Sequence, residues 1–307
     1  MGIVGHCDLT GCDSDPARRA EAGLAAWQAF RDTGFLILHG HGVPRALIDQ
    51  AYTTAQALFA LPLADKQAAA GGLRGYTPFG REHARDATVA DLKEFWQVGR
   101  DLPAGQPADP LFPPNVWPTA LPAAEAAFTG LFAALDRAGR MLLSVLAPRL
   151  GLPADHFEAV VEGGPSLLRV LHYPPVPDGA DPRAVRAAAH EDINFITLMV
   201  GARGAGLEIL GRDGAWHPVL AEPGTLIVNA GDMLARITGG LIPATTHRVV
   251  NPDGPNESRY SMPFFLHPRN EVELTLLPGC AARGGVAQPP ISAGAFLAQR
   301  LREIGLA

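Results

Sequence analysis

The second half of the chain is a run of short apolar stretches rich in β-branched and aromatic residues, each closed by turn residues. Residues 166–173, 195–200, 207–210, 216–220, 225–229, 245–250 and 259–265 have this character, and Gly201, Gly204, Gly206, Asp213-Gly214, Pro223-Gly224, Gly231 and Asp253-Gly254 separate them. No strand of that length buries its apolar face alone. Many of them at such spacing predict a sandwich or barrel, with a jelly roll as the natural solution.

The first half has a different texture. Asp15-Pro16 followed by an Ala-rich stretch to Phe30 predicts a capped helix, since a proline in the first turn gives up an N–H that has no intrahelical partner. Residues 34–38 predict a buried strand and 44–61 a second helix. The Gly- and Pro-rich stretches 71–80 and 101–118 predict loops. From 120 to 150, Phe128, Leu131, Phe132, Leu135, Leu142, Leu143 and Leu146 recur at helical spacing, and 292–304 predicts an amphipathic tail helix. The expected fold class is α+β with a mostly β core: a distorted double-stranded β-helix (jelly roll) flanked by helices. Residues 1–118 form its N-terminal helical and mixed region. Residues 119–307 carry the long helix, the jelly roll with the functional site, and the C-terminal helix.

The 307 residues are enough for a sizeable core. A net charge of −6 and the lack of any Lys/Arg-rich run argue against a nucleic-acid partner. No apolar run reaches membrane-spanning length, and the N-terminus carries no basic segment followed by an apolar one, so the expectation is a soluble cytoplasmic protein with no membrane partner. Three cysteines, Cys7, Cys12 and Cys280, are too few and oddly numbered for a disulfide framework and are read as reduced thiols. The sequence sets no oligomeric state.

Within the β-rich half, His190 and Asp192 stand two apart. On a strand such residues project from one face, so both can address a single ion. His247 belongs to another β-candidate and reaches that ion through folding. Two imidazoles and one carboxylate suit Fe(II), Co(II), Mn(II) or Zn(II), and with open positions on the far side they suit oxygen chemistry at ferrous iron. Neither an HExxH pair nor a neighbouring cysteine supports a zinc peptidase or a structural zinc site. Glu191 on the same strand points away from His190, which leaves Asp192 as the ligand. Arg259 and Ser261 also share one strand face. A guanidinium fork and a hydroxyl match a carboxylate, with Tyr173 as a further donor.

These residues carry a resemblance. The segments from Leu168 to Pro175, His190 to Leu198, Gly206 to Ile209, Pro223 to Leu234, His247 to Pro252 and Arg259 to Phe265, in that order and spacing, resemble the isopenicillin N synthase-like, 2-oxoglutarate/Fe(II)-dependent dioxygenases. The stretch from Gly34 to Pro44 resembles a marker of the family's helical region, which accounts for His39 and His41 without giving them a metal. Where the family often has an aromatic-Gly pair after the Asp, this chain has Ile193-Asn194.

The resemblance implies Fe(II) on His190, Asp192 and His247, with 2-oxoglutarate held by Arg259 and Ser261 with the help of Tyr173. It implies a reaction in which O2 and decarboxylation of that cosubstrate drive hydroxylation, desaturation or cyclisation of a small organic substrate. Arg74, Tyr76, Glu94, Asn194 and Phe264 are the expected substrate contacts. Two other readings stand beside this one. Some family members keep the Arg-x-Ser and act as oxidases without 2-oxoglutarate, and a non-catalytic metal- or ligand-binding jelly roll has the same outline.

Overall fold

Helix α1 (Pro16–Thr33) opens where Asp15 accepts hydrogen bonds from the backbone N–H groups of Ala17 (2.8 Å) and Arg18 (3.4 Å). It stops at Gly34, whose φ of 70° lets its N–H close on the Phe30 carbonyl before the chain turns into a strand. A side chain at Gly34 would also meet Thr245 Oγ1 at 2.5 Å. Only glycine lets this helix deliver its strand into the sheet at that point.

The computed structural model describes residues 3–81, 89–101, 113–181, 183–203 and 206–303. The elements run β1 (Gly5–Asp8), α1 (Pro16–Thr33), β2 (Phe35–His39), α2 (Arg45–Phe59), α3 (Leu63–Ala68), β3 (Ala70–Gly71), β4 (Arg74–Thr77) and β5 (Glu94–Gly99). Next come α4 (Ala123–Leu146), a 3-10 turn (Ala147–Leu150), α5 (His156–Val161), β6 (Leu167–Tyr173), β7 (Ala187–His190), β8 (Ile196–Arg203), β9 (Leu207–Leu210) and β10 (Trp216–Pro218). The chain continues through β11 (Leu226–Ala230), α6 (Asp232–Ile237), β12 (His247–Val249), β13 (Arg259–Leu266), α7 (Pro278–Ala281) and α8 (Ala293–Glu303).

Two sheets form. The major sheet has the order β1-β2-β11-β8-β13-β6-β5-β4-β3, and the minor sheet β10-β9-β12-β7. Pairing is antiparallel except between β1 and β2. Strands from the first 118 residues thus extend the same sheet as those of the second half.

Alternation along the central strands sorts their side chains into two cores. Leu36, Leu38, Val170, Ile196, Leu198, Leu226, Val228, Met262 and Phe264 turn toward the helices, where α4 presents Phe128, Leu131, Leu135, Leu142 and Leu146. Phe35, Ile37, Phe95, Leu171, Met199 and Ile227 turn the other way and meet Leu207, Ile209 and Val249 of the minor sheet. The second core is the interior of the jelly roll.

Several expectations needed correction. The loop expected over 71–80 contains β4, paired with β5, and β5 itself lies where no strand was expected. Asp192 is not on a strand, because β7 ends at His190 and Asp192 follows in the connection to β8. A six-residue helix, α6, follows β11. The expected loop at 101–118 falls largely on residues 102–112, outside the described residues, as do Gly204 and Ile304.

Candidate metal centre and carboxylate clamp

His247 and His190 face one another as register partners across β12 and β7, with ring centroids 4.4 Å apart. Each ring places Nδ1 on a backbone carbonyl two residues earlier, His190 on Ala188 (2.7 Å) and His247 on Thr245 (3.1 Å). A carbonyl only accepts, so Nδ1 carries the proton and the Nε2 lone pair is left for another partner. Both Nε2 atoms turn toward Asp192, at 3.9 Å from Oδ1 for His190 and 4.0 Å from Oδ2 for His247. One ligand atom from each of the three residues lies within 4.8 Å of the others. These spans are of the size that a divalent ion with bonds of about 2.0–2.2 Å bridges.

Residues from the major sheet fix this arrangement. Thr197 Oγ1 and Asn229 Nδ2 both donate to Asp192 Oδ2, the latter at 2.8 Å. Asn194 donates to Thr197 Oγ1 at 2.8 Å from behind. Phe35 sets its ring edge-on to His247 at 5.5 Å. Phe265, Thr197, Asn229 and Phe35 are successive register partners across β13, β8, β11 and β2, so one row of the sheet forms the floor of the triad. Glu191 instead bonds Thr246 at the exposed side, in keeping with its expected direction away from the site.

The electrostatics suit a metal. Burial pulls the His247 imidazolium down, His190 adds to that pull, and the nearby Asp192 only partly offsets it, so its pKa falls to about 4. The ring is therefore neutral near pH 7, as a ligand must be. Burial alone would raise Asp192. The His247 and His190 imidazoles and the bonds from Asn229 and Thr197 outweigh it and keep the carboxyl below its ordinary range.

The clamp residues lie on the same interior face. Arg259 pairs with Tyr173 and Ser261 with Leu171 across β13 and β6, and the Arg259 guanidinium carbon stands 5.0 Å over the Tyr173 ring. Arg259, Ser261 and Tyr173 are all buried. Arg259 Nε and Nη1 have no hydrogen-bond partner among the described residues. A buried guanidinium with two idle donors is costly unless a ligand supplies the anion. The donor set and this idle fork fit a divalent metal and a carboxylate-bearing cosubstrate.

The expected substrate contacts are placed differently. Tyr76 and Glu94 share the helix-facing side of the major sheet with Trp96, which lies in the helix-side core. There Glu94 binds Lys66 (2.9 Å), His172 (2.8 Å) and the Tyr76 hydroxyl. Arg74 is buried, and its guanidinium packs against Gly99, which alternates with Gln97 and Phe95 along β5. Phe264 is in the helix-side core, edge-on to Phe132 at 4.9 Å. Asn194 is fully buried behind the Asp192 support. The interior face belongs instead to Phe95, Gln97, Arg169, Leu171, Pro263 and Phe265, with Arg169 over the rings of Phe95 (4.4 Å) and Phe265 (5.6 Å). A surface hollow of about 700 Å³ beside α4 contains neither the triad nor Arg259 and Ser261.

Sequence reasoning overlooked Thr197, Asn229, Arg186 and His267. The available signal was polarity inside apolar strands: Asn229 closes Leu226-Ile-Val, and Arg186 interrupts a run of small apolar residues.

Comparison with known proteins supports the same reading. Residues 6–120 match the family described as the N-terminal region of the non-haem dioxygenase in morphine synthesis, and residues 164–268 match the 2OG-Fe(II) oxygenase superfamily. A 2-oxoglutarate-Fe(II) type oxidoreductase of Emericella nidulans is 31% identical over 91% of this chain and 83% of its own length. A 2-oxoglutarate-dependent dioxygenase of Monascus ruber is 34% identical over 83% and 80%. Among solved structures, a 2OG-Fe(II) oxygenase family protein from Caulobacter crescentus superposes with a TM-score of 0.88 at 40% identity, covering 99% of this chain and 100% of its own. A full-length Neurospora crassa protein solved in complex with alpha-KG and thymine superposes with a TM-score of 0.86 at 27% identity, covering 97% and 96%. With triad, idle arginine fork and two-sheet fold in place, the chain belongs to the isopenicillin N synthase-like 2-oxoglutarate/Fe(II)-dependent dioxygenases and is an oxidoreductase of that class.

Proposed function

We propose that His190, Asp192 and His247 hold Fe(II), and that Arg259 and Ser261, beside Tyr173, hold the far carboxylate of 2-oxoglutarate during oxidation of a small organic substrate. The observation that carries this is the pairing of a convergent two-imidazole, one-carboxylate cluster with a buried, idle guanidinium on the same interior face. When bound, iron and cosubstrate supply the oxidising chemistry with O2, releasing succinate and carbon dioxide.

The chain's own residues supply position and enclosure. The Ala188 and Thr245 carbonyls hold the imidazoles in the tautomer that offers Nε2, and Thr197 and Asn229 fix the rotation of the Asp192 carboxylate. Arg259 and Ser261 orient the cosubstrate and fix which end faces the triad. Packing of Phe35 and Ile209 beneath the site excludes water. The substrate is placed against Phe95, Gln97, Arg169 and Phe265, on that interior face, where Phe265 belongs to the Thr197 row. Because the Neurospora crassa protein is known with thymine bound, planar nitrogen heterocycles join small organic acids in the substrate panel. Three buried, unpaired thiols, Cys7, Cys12 and Cys280, fit a reducing compartment such as the cytoplasm.

The test is succinate release from 2-oxoglutarate with Fe(II) across that panel, for wild type and Asp192→Ala. Turnover in the wild type and none in the variant is expected. Equal turnover in both would remove the triad from the reaction.

A further inference from the structure

We propose that the cosubstrate carboxylate is held by two guanidinium groups, with Arg186 as the second, and that Arg186 sets the preference for a 2-oxo diacid over a 2-oxo monoacid. This rests on the reading of Arg259 and Ser261 as the carboxylate clamp.

Arg186 lies just before β7 and is 3% exposed, against 2% for Arg259. Its Nη2 donates to the backbone carbonyl of Glu257, two residues ahead of Arg259, which brings both arginines to the same end of the jelly-roll interior. Among the described residues neither arginine has a carboxylate within ion-pair distance, and Arg186 Nε joins Arg259 Nε and Nη1 as buried donors without an acceptor. The nearby carboxylates are committed elsewhere. Asp91 takes Lys93 at 2.8 Å and the Ala188 N–H at 3.0 Å, and the Glu257 side chain is exposed.

Two unneutralised guanidinium groups buried at one end of the interior and near enough to feel each other's charge oppose folding through lost hydration and mutual repulsion. Burial lowers Arg186 from its usual value, and the Arg259 charge lowers it further, while Tyr173 pulls the other way. A single carboxylate offsets both costs, since its two oxygens accept from more than one donor group. A neutral ligand end would leave both guanidinium groups uncompensated. The second arginine therefore adds discrimination by charge, which a lone Arg-x-Ser supplies more weakly.

The test uses the full chain loaded with Fe(II) under anaerobic conditions and calorimetric binding of two ligands, 2-oxoglutarate and 2-oxopentanoate. The second has the same carbon count with a methyl group in place of the far carboxylate. Arg186→Met should weaken 2-oxoglutarate about ten- to hundredfold, the range for a lost charge-assisted hydrogen bond, and leave 2-oxopentanoate unchanged. Arg186→Lys should recover part of the loss. Unchanged 2-oxoglutarate binding, or a parallel loss for both ligands in the Lys variant as well, overturns the role of Arg186 while leaving the clamp at Arg259 intact. Failure of the wild type to bind 2-oxoglutarate overturns both.

Discussion

Glu94 and Lys66 form a 2.9 Å ion pair with each side chain 8% exposed, and two further donors, Tyr76 and His172, complete the carboxylate. Burial raises Glu94, but the bonds from His172, Tyr76 and Lys66 dominate and bring it below the ordinary carboxylate range. This cluster joins α3 to the sheet on the side away from the triad. Glu94→Gln should therefore cost about 3 kcal/mol of stability, because Lys66 loses its buried counter-charge. KM values for cosubstrate and substrate should stay unchanged, and a rise in KM without a fall in Tm would return Glu94 to the substrate site. His267 gives a pH-dependent counterpart. Burial drops its imidazole from 6.5 to about 4, with the Asp192 charge opposing. Between those values the unfolded chain binds a proton that the native chain refuses, so stability is lost as pH falls from about 6.5 toward 4 and is fully present above that window. The loss is on the order of 3 kcal/mol. Melting curves of apoprotein across this range should flatten in His267→Phe, and an unaltered slope would place the acid sensitivity elsewhere. Roles of this kind were illegible in the sequence, since Glu94 and His267 show no spacing pattern and owe their state to neighbours from other strands.

At the scale of elements, local signals were read where one side of the chain does one thing. Asp15-Pro16 announced the start of α1, which runs three residues past the expected end at Phe30; the apolar stripe of α4 followed from its periodicity, and the strands β6, β8, β9, β11 and β13 from β-rich runs closed by turn residues. Strands β4 and β5 were missed because both are buried along most of their length with polar residues among the buried positions, Arg74 and Tyr76 on β4 and Glu94 and Gln97 on β5, so the alternation is masked. His190 and Asp192 converge as expected but by another route, as the turn after β7, not strand alternation, aims the carboxylate. Gly34 offers the element-scale prediction. Gly34→Ala imposes both a left-handed backbone, costing about 1–2 kcal/mol, and the 2.5 Å approach to Thr245 Oγ1. Gly42 has the same φ of 70° with open space around it. Gly42→Ala should thus lower Tm less than Gly34→Ala, and equal losses would show that the close approach to Thr245 has no weight.

Across the whole molecule, the site depends on both sheets and both halves of the chain. The imidazoles come from the minor sheet, while Thr197, Asn229, Phe35 and the clamp come from the major sheet, to which the N-terminal residues contribute β1 and β2. The interior core between the sheets sets the distance between the triad and Arg259, so rigidity there fixes the geometry of the candidate site as well as stability. Fold class and the candidate triad were readable because strands and the motifs around His190 and His247 are local in sequence. The make-up of the interior face beside the triad was not, because it is assembled by register between strands far apart in the chain, and side chains one position off face the helices. No helix among the described residues is long and apolar enough to cross a membrane. The central claim is that three side chains brought together by this fold hold a single divalent ion. Anaerobic calorimetric titration of the full chain with Fe(II) tests it most directly. One ion per wild-type chain, with binding lost in His247→Ala and in Asp192→Ala while both variants remain folded by circular dichroism, is the predicted result. Undiminished binding of one ion in those folded variants would contradict it.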